Sequence, residues 1–127
     1  MNTLQIFDEL TKKYPGKNII KNDIEDPTEI VCEIKPTEDH PKYSLAIAII
    51  DQSIPHYHHK STEEYTVKRG ELRMHIGDKT VLLYEGQTIV IPPKQIHWAE
   101  GNETWVECFS QPGWTTEDHI LVPKKRD

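Results

Sequence analysis

The chain has 127 residues and a formal net charge of −6. This length suits one domain with its own hydrophobic core, so we expect residues 1–127 to form a single domain. The acidic balance excludes the broad basic surface that a nucleic-acid partner requires, and the basic residues at 124–126 are expected to be a solvated end. No apolar stretch approaches the ~20 residues that cross a bilayer, so we expect no membrane partner and a cytoplasmic location.

The N-terminal segment, residues 1–16, is predicted to be a short helix followed by a turn. Leu4, Phe7 and Leu10 recur at three-residue spacing and give one apolar stripe. A Pro-Gly pair follows and ends the helical pattern. Such a stripe is typical of a helix that packs against the outside of a barrel.

From about residue 29 to residue 122 the sequence predicts a series of short strands. Turn signals separate them, and Gly77-Asp78 is a typical tight hairpin. Residues 19–27, before this series, are polar and are expected to be irregular. About eight to ten strands and a single helix predict an all-β barrel or sandwich with antiparallel strands.

Two of the predicted strands have informative patterns. Residues 43–50 alternate large and small apolar side chains, so that Ala46 and Ala48 share one face. Both faces are apolar, which is typical of a strand covered on both sides. Residues 30–34 read as an apolar edge strand that needs cover, and this favours pairing with a second chain.

Three histidines and one glutamate form a candidate metal site. His56 and His58 are two residues apart, so on a strand they point to the same face, where two imidazoles can bind one ion at about 2.1 Å. Glu63 lies at an odd offset from His58, so residues 60–62 must turn or bulge for its carboxylate to face the same point. His97 offers a third imidazole from further along the chain.

The spacing of these residues resembles the two cupin motifs. The positions that match the first motif are His56, His58, Glu63 and Gly70. The positions that match the second motif are Gly86, Pro92 and His97. Both motifs occur once, in the expected order, within residues 50–101. The chain therefore resembles a small single-domain, metal-binding member of the cupin superfamily.

The resemblance implies a double-stranded β-helix, also called a jelly-roll barrel, after the short N-terminal helix. It implies one divalent metal ion per chain (Fe, Mn, Ni, Cu or Zn) held by His56, His58, Glu63 and His97. It also implies a homodimer. We expect a metal-dependent enzyme of the dioxygenase or sugar-isomerase type, acting on a small oxygen-rich or carbohydrate-like molecule. A non-catalytic cupin that binds or senses a small ligand is the alternative.

Two residues next to the motif compete for the ligand roles. His59 has the wrong parity to share a face with His58, so we expect it to point outward. Glu64 competes with Glu63, but the motif spacing to Gly70 favours Glu63.

Other residues are expected around the site. Tyr65 is the polar side chain expected beside the metal, and it is a catalytic candidate together with Glu63, which could act as a base if it left the ion. Trp98 and Phe109 are expected either to line the cavity or to pack in the core. The remaining histidines that we considered, His75 and His119, are expected to be exposed or simply hydrogen-bonded.

Overall fold

The computed structural model describes residues 1–123, and the basic run at 124–126 lies outside the described residues. The elements in chain order are α1 (Thr3–Lys13), β1 (Asn18–Lys21), β2 (Glu29–Lys35), β3 (Ser44–Gln52), β4 (His56–Tyr57), β5 (Thr62–Arg69), β6 (Leu72–Ile76), β7 (Lys79–Leu83), β8 (Thr88–Ile91), β9 (His97–Gln111) and β10 (Ile120–Leu121). Among the described residues, no helix has the length and apolar character needed to span a membrane.

The fold is an all-β jelly roll with one short N-terminal helix, which confirms the predicted fold class. Every strand pair is antiparallel. The 15-residue strand β9 is the hub, because it pairs with β3, β4, β5 and β6 along different parts of its length. The sheet curls around this strand, and its inner face encloses the core and the site.

Two expectations about the edge of the sheet were wrong. Residues 18–21 form β1, which pairs along β2, so the expectation of an irregular segment at 19–27 was wrong for 19–21 and right for 22–27. The segment 30–34 is therefore not an edge strand, since β1 and β3 cover it on either side. The short polar sequence before β2 gives little periodic signal, and β1 exists because β2 offers it a hydrogen-bonding partner.

Side-chain alternation along β2 and β3 separates two apolar clusters. The outer cluster lies between the sheet and α1, and its buried members are Ile6, Leu10, Ile30, Cys32, Ile47, Ile49 and Trp105. The inner cluster lies inside the barrel, and its buried members are Ala48, Ile50, Tyr65, Val67, Leu72, Met74, Leu83, Ile91, Ala99 and Val106. Burial of Ile6 and Leu10 attaches the helix to the outside of the barrel, at about 1.5–3 kcal/mol for each side chain.

The glycines of the two motifs occupy turns that need a positive φ angle. Gly70 has φ of +92° between β5 and β6, and Gly86 has φ of +87° between β7 and β8. Residues with a β-carbon rarely adopt this conformation. The motif spacing therefore fixes the two turns that bring the strands bearing Glu63 and His97 into the barrel.

Candidate metal centre

Short strands and one turn bring the four motif residues together. His56 on β4 pairs directly with His97, the first residue of β9. The chain leaves strand geometry after Tyr57 and re-enters it at Thr62, so the expected turn lies between His58 and Glu63. All four side chains are buried, with His58 only 3% and His97 only 1% exposed.

The carboxylate of Glu63 lies at the centre of the group. Its Oε1 atom is 2.8 Å from Nε2 of His58, 3.0 Å from Nε2 of His97 and 3.9 Å from Nε2 of His56. One possible ligand atom from each of the four residues lies within 4.8 Å of every other. These four residues could therefore bind one metal ion.

The opposite nitrogen of each imidazole fixes the tautomer. Each Nδ1 donates a hydrogen bond to a backbone carbonyl, which can only accept. The acceptors are Ile54 for His56 at 2.8 Å, Asp118 for His58 at 2.8 Å, and Gln95 for His97 at 2.9 Å. In a neutral ring this leaves the lone pair on Nε2, the atom that points at Glu63. Such outer bonds orient histidine ligands in metal sites.

The arrangement fits a divalent cation on physical grounds. Among the described residues, the buried Nε2 of His58 has no hydrogen-bond partner, although Glu63 Oε1 is 2.8 Å away. A nitrogen lone pair and a carboxylate oxygen repel each other at that distance unless a proton or a cation lies between them. Three imidazoles and one carboxylate are suitable ligands for Fe, Mn, Ni, Cu or Zn.

Contacts within the group shift the pKa values of Glu63 and His58. Burial alone would raise the pKa of Glu63, but its contacts with the three histidines hold that pKa well below the ordinary value. Burial alone would lower the pKa of His58, but the neighbouring Glu63 carboxylate outweighs burial and raises it. A proton therefore competes with a metal ion for the His58–Glu63 pair.

Asp118 holds the turn that carries His58. Its Oδ1 accepts hydrogen bonds from the backbone N–H groups of His59 and Lys60, at 2.9 and 3.1 Å, and its Oδ2 accepts from Ser61 at 3.0 Å. Burial would raise the pKa of Asp118, but these N–H donors outweigh it and lower the pKa. The same residue accepts from His58 through its backbone carbonyl. These N–H groups lie in a turn and have no partner on a neighbouring strand, so they need an acceptor from elsewhere in the chain. A turn predicted at residues 60–62 is the one indication in the sequence that a residue such as Asp118 is required.

Two of the four residues, His56 and Glu63, border a cavity of about 740 Å³, which is within the usual range of small-molecule sites. Tyr65 lines this cavity, as expected, and its ring centroid is 6.0 Å from that of His97. Burial and the nearby Glu63 raise the pKa of Tyr65 well above its ordinary value, so its hydroxyl stays protonated. The small side chains of Ala46 and Ala48 leave the space open on the β3 side.

The two residues that competed for the ligand roles lie outside the group of four. His59 and Glu64 are exposed and outside the group of four, in line with the parity argument. Trp98 stacks on His75 with centroids 3.9 Å apart, and Phe109 packs near Tyr43. Neither Trp98 nor Phe109 is among the described residues that line the cavity.

His75 and His119 are both hydrogen-bonded, as expected, but His119 also lines the cavity. His75 bonds to Glu100 and Thr80 on the outer surface. His119 lines the cavity, with its ring centroid 4.3 Å from that of His56. Burial, followed by the nearby His56 and the other site histidines, lowers the pKa of His119 to about 4. No motif in the sequence indicates that His119 lies in the cavity, because it is a lone histidine after the last long strand.

Glu29 is the second cavity residue that the sequence analysis missed. It is the first residue of β2 and lines the cavity together with His56 and Glu63. Burial raises the pKa of Glu29 to about 7, while the nearby His56 opposes the rise and Glu63 adds to it. Glu29 reaches the cavity from β2, which carries none of the four motif residues.

Comparisons with known proteins agree with this picture. The family model for the cupin domain matches residues 47–108. No curated protein matches the chain. Among solved structures, the nucleoside dehydratase Pac13 is 11% identical, with a TM-score of 0.73 over 87% of this chain and 90% of its own.

Two further structures have the same fold at similar identity. A cupin-2 domain from Rhodospirillum rubrum is 12% identical, with a TM-score of 0.66 over 83% of this chain and 80% of its own. The Fe(II) form of HppE is 15% identical, with a TM-score of 0.63 over 76% of this chain and 56% of its own. At these identities the likeness establishes the fold alone. Together with the two motifs and the matching family model, it shows that the chain belongs to the cupin superfamily.

Proposed function

We propose that this chain is a mononuclear metal enzyme that acts on a small oxygen-rich or carbohydrate-like molecule by metal-assisted oxidation or isomerisation. The observation that carries the proposal is the convergence of three Nε2 atoms and one carboxylate oxygen at the wall of an open cavity. Structural zinc sites instead use four closed ligands that are rich in cysteine. A site that faces a cavity leaves room for a ligand at the ion.

A divalent ion held there would act as a Lewis acid towards substrate oxygens, and iron would add the capacity to activate dioxygen. Among the structural relatives, one is an iron protein and another binds a molecule that contains a sugar. HppE is described in its Fe(II) form, and Streptomyces PAC13 is described with uridine, which contains a ribose. From these relatives we take only the class of ligand, a small oxygen-rich or carbohydrate-like molecule.

The protein groups have separate roles in this proposal. Glu63 serves first as a ligand, and its low pKa makes it a weak base. Tyr65 keeps its proton and lines the cavity, so it can donate a hydrogen bond to a substrate oxygen. The apolar inner cluster behind the site keeps bulk water away from one side of the reacting groups.

The test begins with anaerobic purification and elemental analysis of the bound metal. Oxygen uptake and sugar isomerisation are then measured over a panel of small substrates, before and after chelation. We expect one divalent ion per chain, and activity that chelator removes and one specific metal restores. Metal binding without turnover on any substrate would favour the alternative of a binding or sensor cupin, and activity at full rate without metal would exclude the proposed mechanism.

A matched pair of variants assigns the ligands. His58→Ala removes a buried nitrogen of the group, whereas His59→Ala removes the exposed neighbour. We expect His58→Ala to lose metal by more than about 100-fold in affinity, because changes to outer partners alone cost about 10–100-fold. His59→Ala should bind metal as the unchanged protein does. Equal metal content in both variants would contradict the assignment.

We also propose a homodimer, since two-fold dimers are the commonest oligomers. β1 pairs with β2 on one side, so it is the strand that offers a free edge at this end of the sheet. Sedimentation at tens of micromolar protein should show a dimer, and a monomer alone at that concentration would contradict this part of the proposal.

A further inference from the structure

Glu29 lies in the cavity because of the alternation along β2. Ile30 and Cys32 belong to the outer cluster against α1, so Glu29, Val31 and Glu33 turn to the inner face and line the cavity. The register pairs Glu29 with Ile50, a fully buried member of the inner cluster. Glu29 is therefore the carboxylate of β2 that lies deepest in the barrel.

The side chain of Glu29 has no internal partner. Within residues 1–123 its carboxylate makes no hydrogen bond and no ion pair, although its backbone N–H donates to Asn22. Glu29 is half-buried and lines the cavity, so its carboxylate still meets the solvent there. With no partner inside the protein, it is available to accept a hydrogen bond from a molecule bound in the cavity.

His119 presents a hydrogen-bond donor to the same cavity. The indole Nε1–H of Trp114 donates to Nδ1 of His119 at 3.3 Å. An indole can only donate, so Nδ1 is the accepting nitrogen, and the neutral ring carries its proton on Nε2. Trp114 also lines the cavity and therefore holds this tautomer in place from the cavity wall.

We propose that Glu29 and His119 form a substrate-binding pair beside the metal centre, which selects neutral hydroxyl-bearing molecules over anions. Glu29 accepts a hydrogen bond from a substrate hydroxyl, and the Nε2–H of His119 donates one to a substrate oxygen. This inference rests on the proposed metal function and narrows its substrate class. Neither residue belongs to the group of four that could bind the ion.

The charges around the cavity support this selectivity. A divalent ion with Glu63 leaves a net charge of about +1, and an ionised Glu29 brings that to about zero. The remaining charged residues that line the cavity are Glu33, Lys35, Glu38 and Glu117. Their sum is negative, so an anionic substrate meets repulsion on the way to the ion, whereas hydroxyl groups find acceptors.

The first experiment measures anion binding at the metal. The protein is loaded with Co(II), whose visible absorption reports its ligands, and is titrated with azide. At pH 8, where Glu29 is ionised, Glu29→Gln should raise the azide affinity roughly tenfold, which is the order of effect of one nearby charge on another. The control is Glu64→Gln, which removes an exposed carboxylate of β5 and should leave azide affinity unchanged. Equal affinity in the unchanged protein and Glu29→Gln would overturn the proposal.

A neutral probe tests the acceptor role. The dissociation constant of glycerol is obtained from its competition with azide, with the azide affinity of each protein taken into account. It should be lower for the unchanged protein than for Glu29→Gln, because the amide replaces a charged acceptor by a weaker one. An equal effect of glycerol on both proteins, or no effect on either, would contradict the selection of hydroxyl groups. Absence of a Co(II) ligand spectrum in every variant would instead mean that the proposed metal function fails.

The role of His119 has its own spectroscopic readout. In the zinc-loaded protein, long-range ¹H–¹⁵N NMR should show His119 with its proton on Nε2. Trp114→Phe removes the indole donor and should mix the two tautomers, while metal content stays the same. A proton on Nδ1 in the unchanged protein, or no response to Trp114→Phe, would remove His119 from the proposed pair.

Discussion

The inner face of the barrel has two ends built from the same strands. Along β5, Glu63 and Tyr65 line the cavity while Val67 belongs to the packed end. Along β9, Ser110 lines the cavity while Val106 is packed and fully buried. Alternation decides only which side chains point inward. Position along each strand then decides whether an inward residue takes part in chemistry or in packing.

This difference shows that the packed core supplies the stability of the fold, whereas the cavity end supplies the groups that could bind a ligand. The packed end consists of apolar side chains that need no ion. The cavity end concentrates three buried histidines and a buried glutamate, and among the described residues Nε2 of His58 has no hydrogen-bond partner there. Changes at the packed end should therefore alter folding, and changes at the cavity end should alter binding.

The largest expected effect on stability comes from the packed end. Leu72 is fully buried in the inner cluster, so Leu72→Ala should lower the free energy of unfolding by about 2–5 kcal/mol. The metal content of the folded protein should not change, because Leu72 is not in the group of four. Urea unfolding and elemental analysis measure the two quantities. Loss of metal from a variant that is still folded would show that the two ends are coupled.

Asp118 should affect both quantities, because it holds the turn of the metal centre. Asp118→Ala leaves the N–H groups of the turn without their acceptor and should cost about 1–3 kcal/mol of unfolding free energy. It should also weaken metal binding about 10–100-fold, as outer partners of ligands do. Glu117→Ala, at the exposed neighbouring position, is the matched control. Unchanged metal affinity in Asp118→Ala would mean that the turn keeps its shape without this carboxylate.

Replacing Ala46 by a larger residue should lower the stability only slightly but should strongly reduce ligand access to the cavity. Ala46 lines the cavity and is only partly buried, so Ala46→Leu can extend into open space with a cost below about 1.5 kcal/mol. Metal content should be retained while ligand binding and turnover fall. Calorimetry of ligand binding against the metal-loaded protein measures this. Full ligand affinity in Ala46→Leu would place the ligand away from β3.

The motif residues could be predicted from the sequence because their spacing is local. His56 and His58 share a face by strand parity, and the turn before Glu63 follows from its odd offset. The fold class followed from strand alternation and turn signals, and the jelly-roll topology from the cupin resemblance.

Residues brought in by long-range pairing could not be predicted in this way. Asp118 bonds to His58 across 60 residues, through the pairing of β10 with β4. His119 enters the cavity by the same pairing. Glu29 enters through the register of β2 with β3, which depends on the whole sheet. No local sequence period predicts such contacts, so Glu29, Asp118 and His119 could be placed at the site only from the three-dimensional structure.

The smallest expected effect is a dependence of stability on pH that comes from Asp118. Its pKa is lowered in the folded protein, so the folded state favours the ionised carboxylate more than the unfolded chain does. The stabilisation is fully present above the ordinary aspartate pKa of about 3.9 and is lost as pH falls through the lower folded value. Asp118→Asn removes the charge but keeps the shape. The difference in unfolding free energy between the two proteins should be constant from about pH 6 to pH 8 and should shrink below about pH 4. Urea unfolding at several pH values measures it, and a difference that persisted at pH 3 would mean that the charge of Asp118 is not what stabilises the turn.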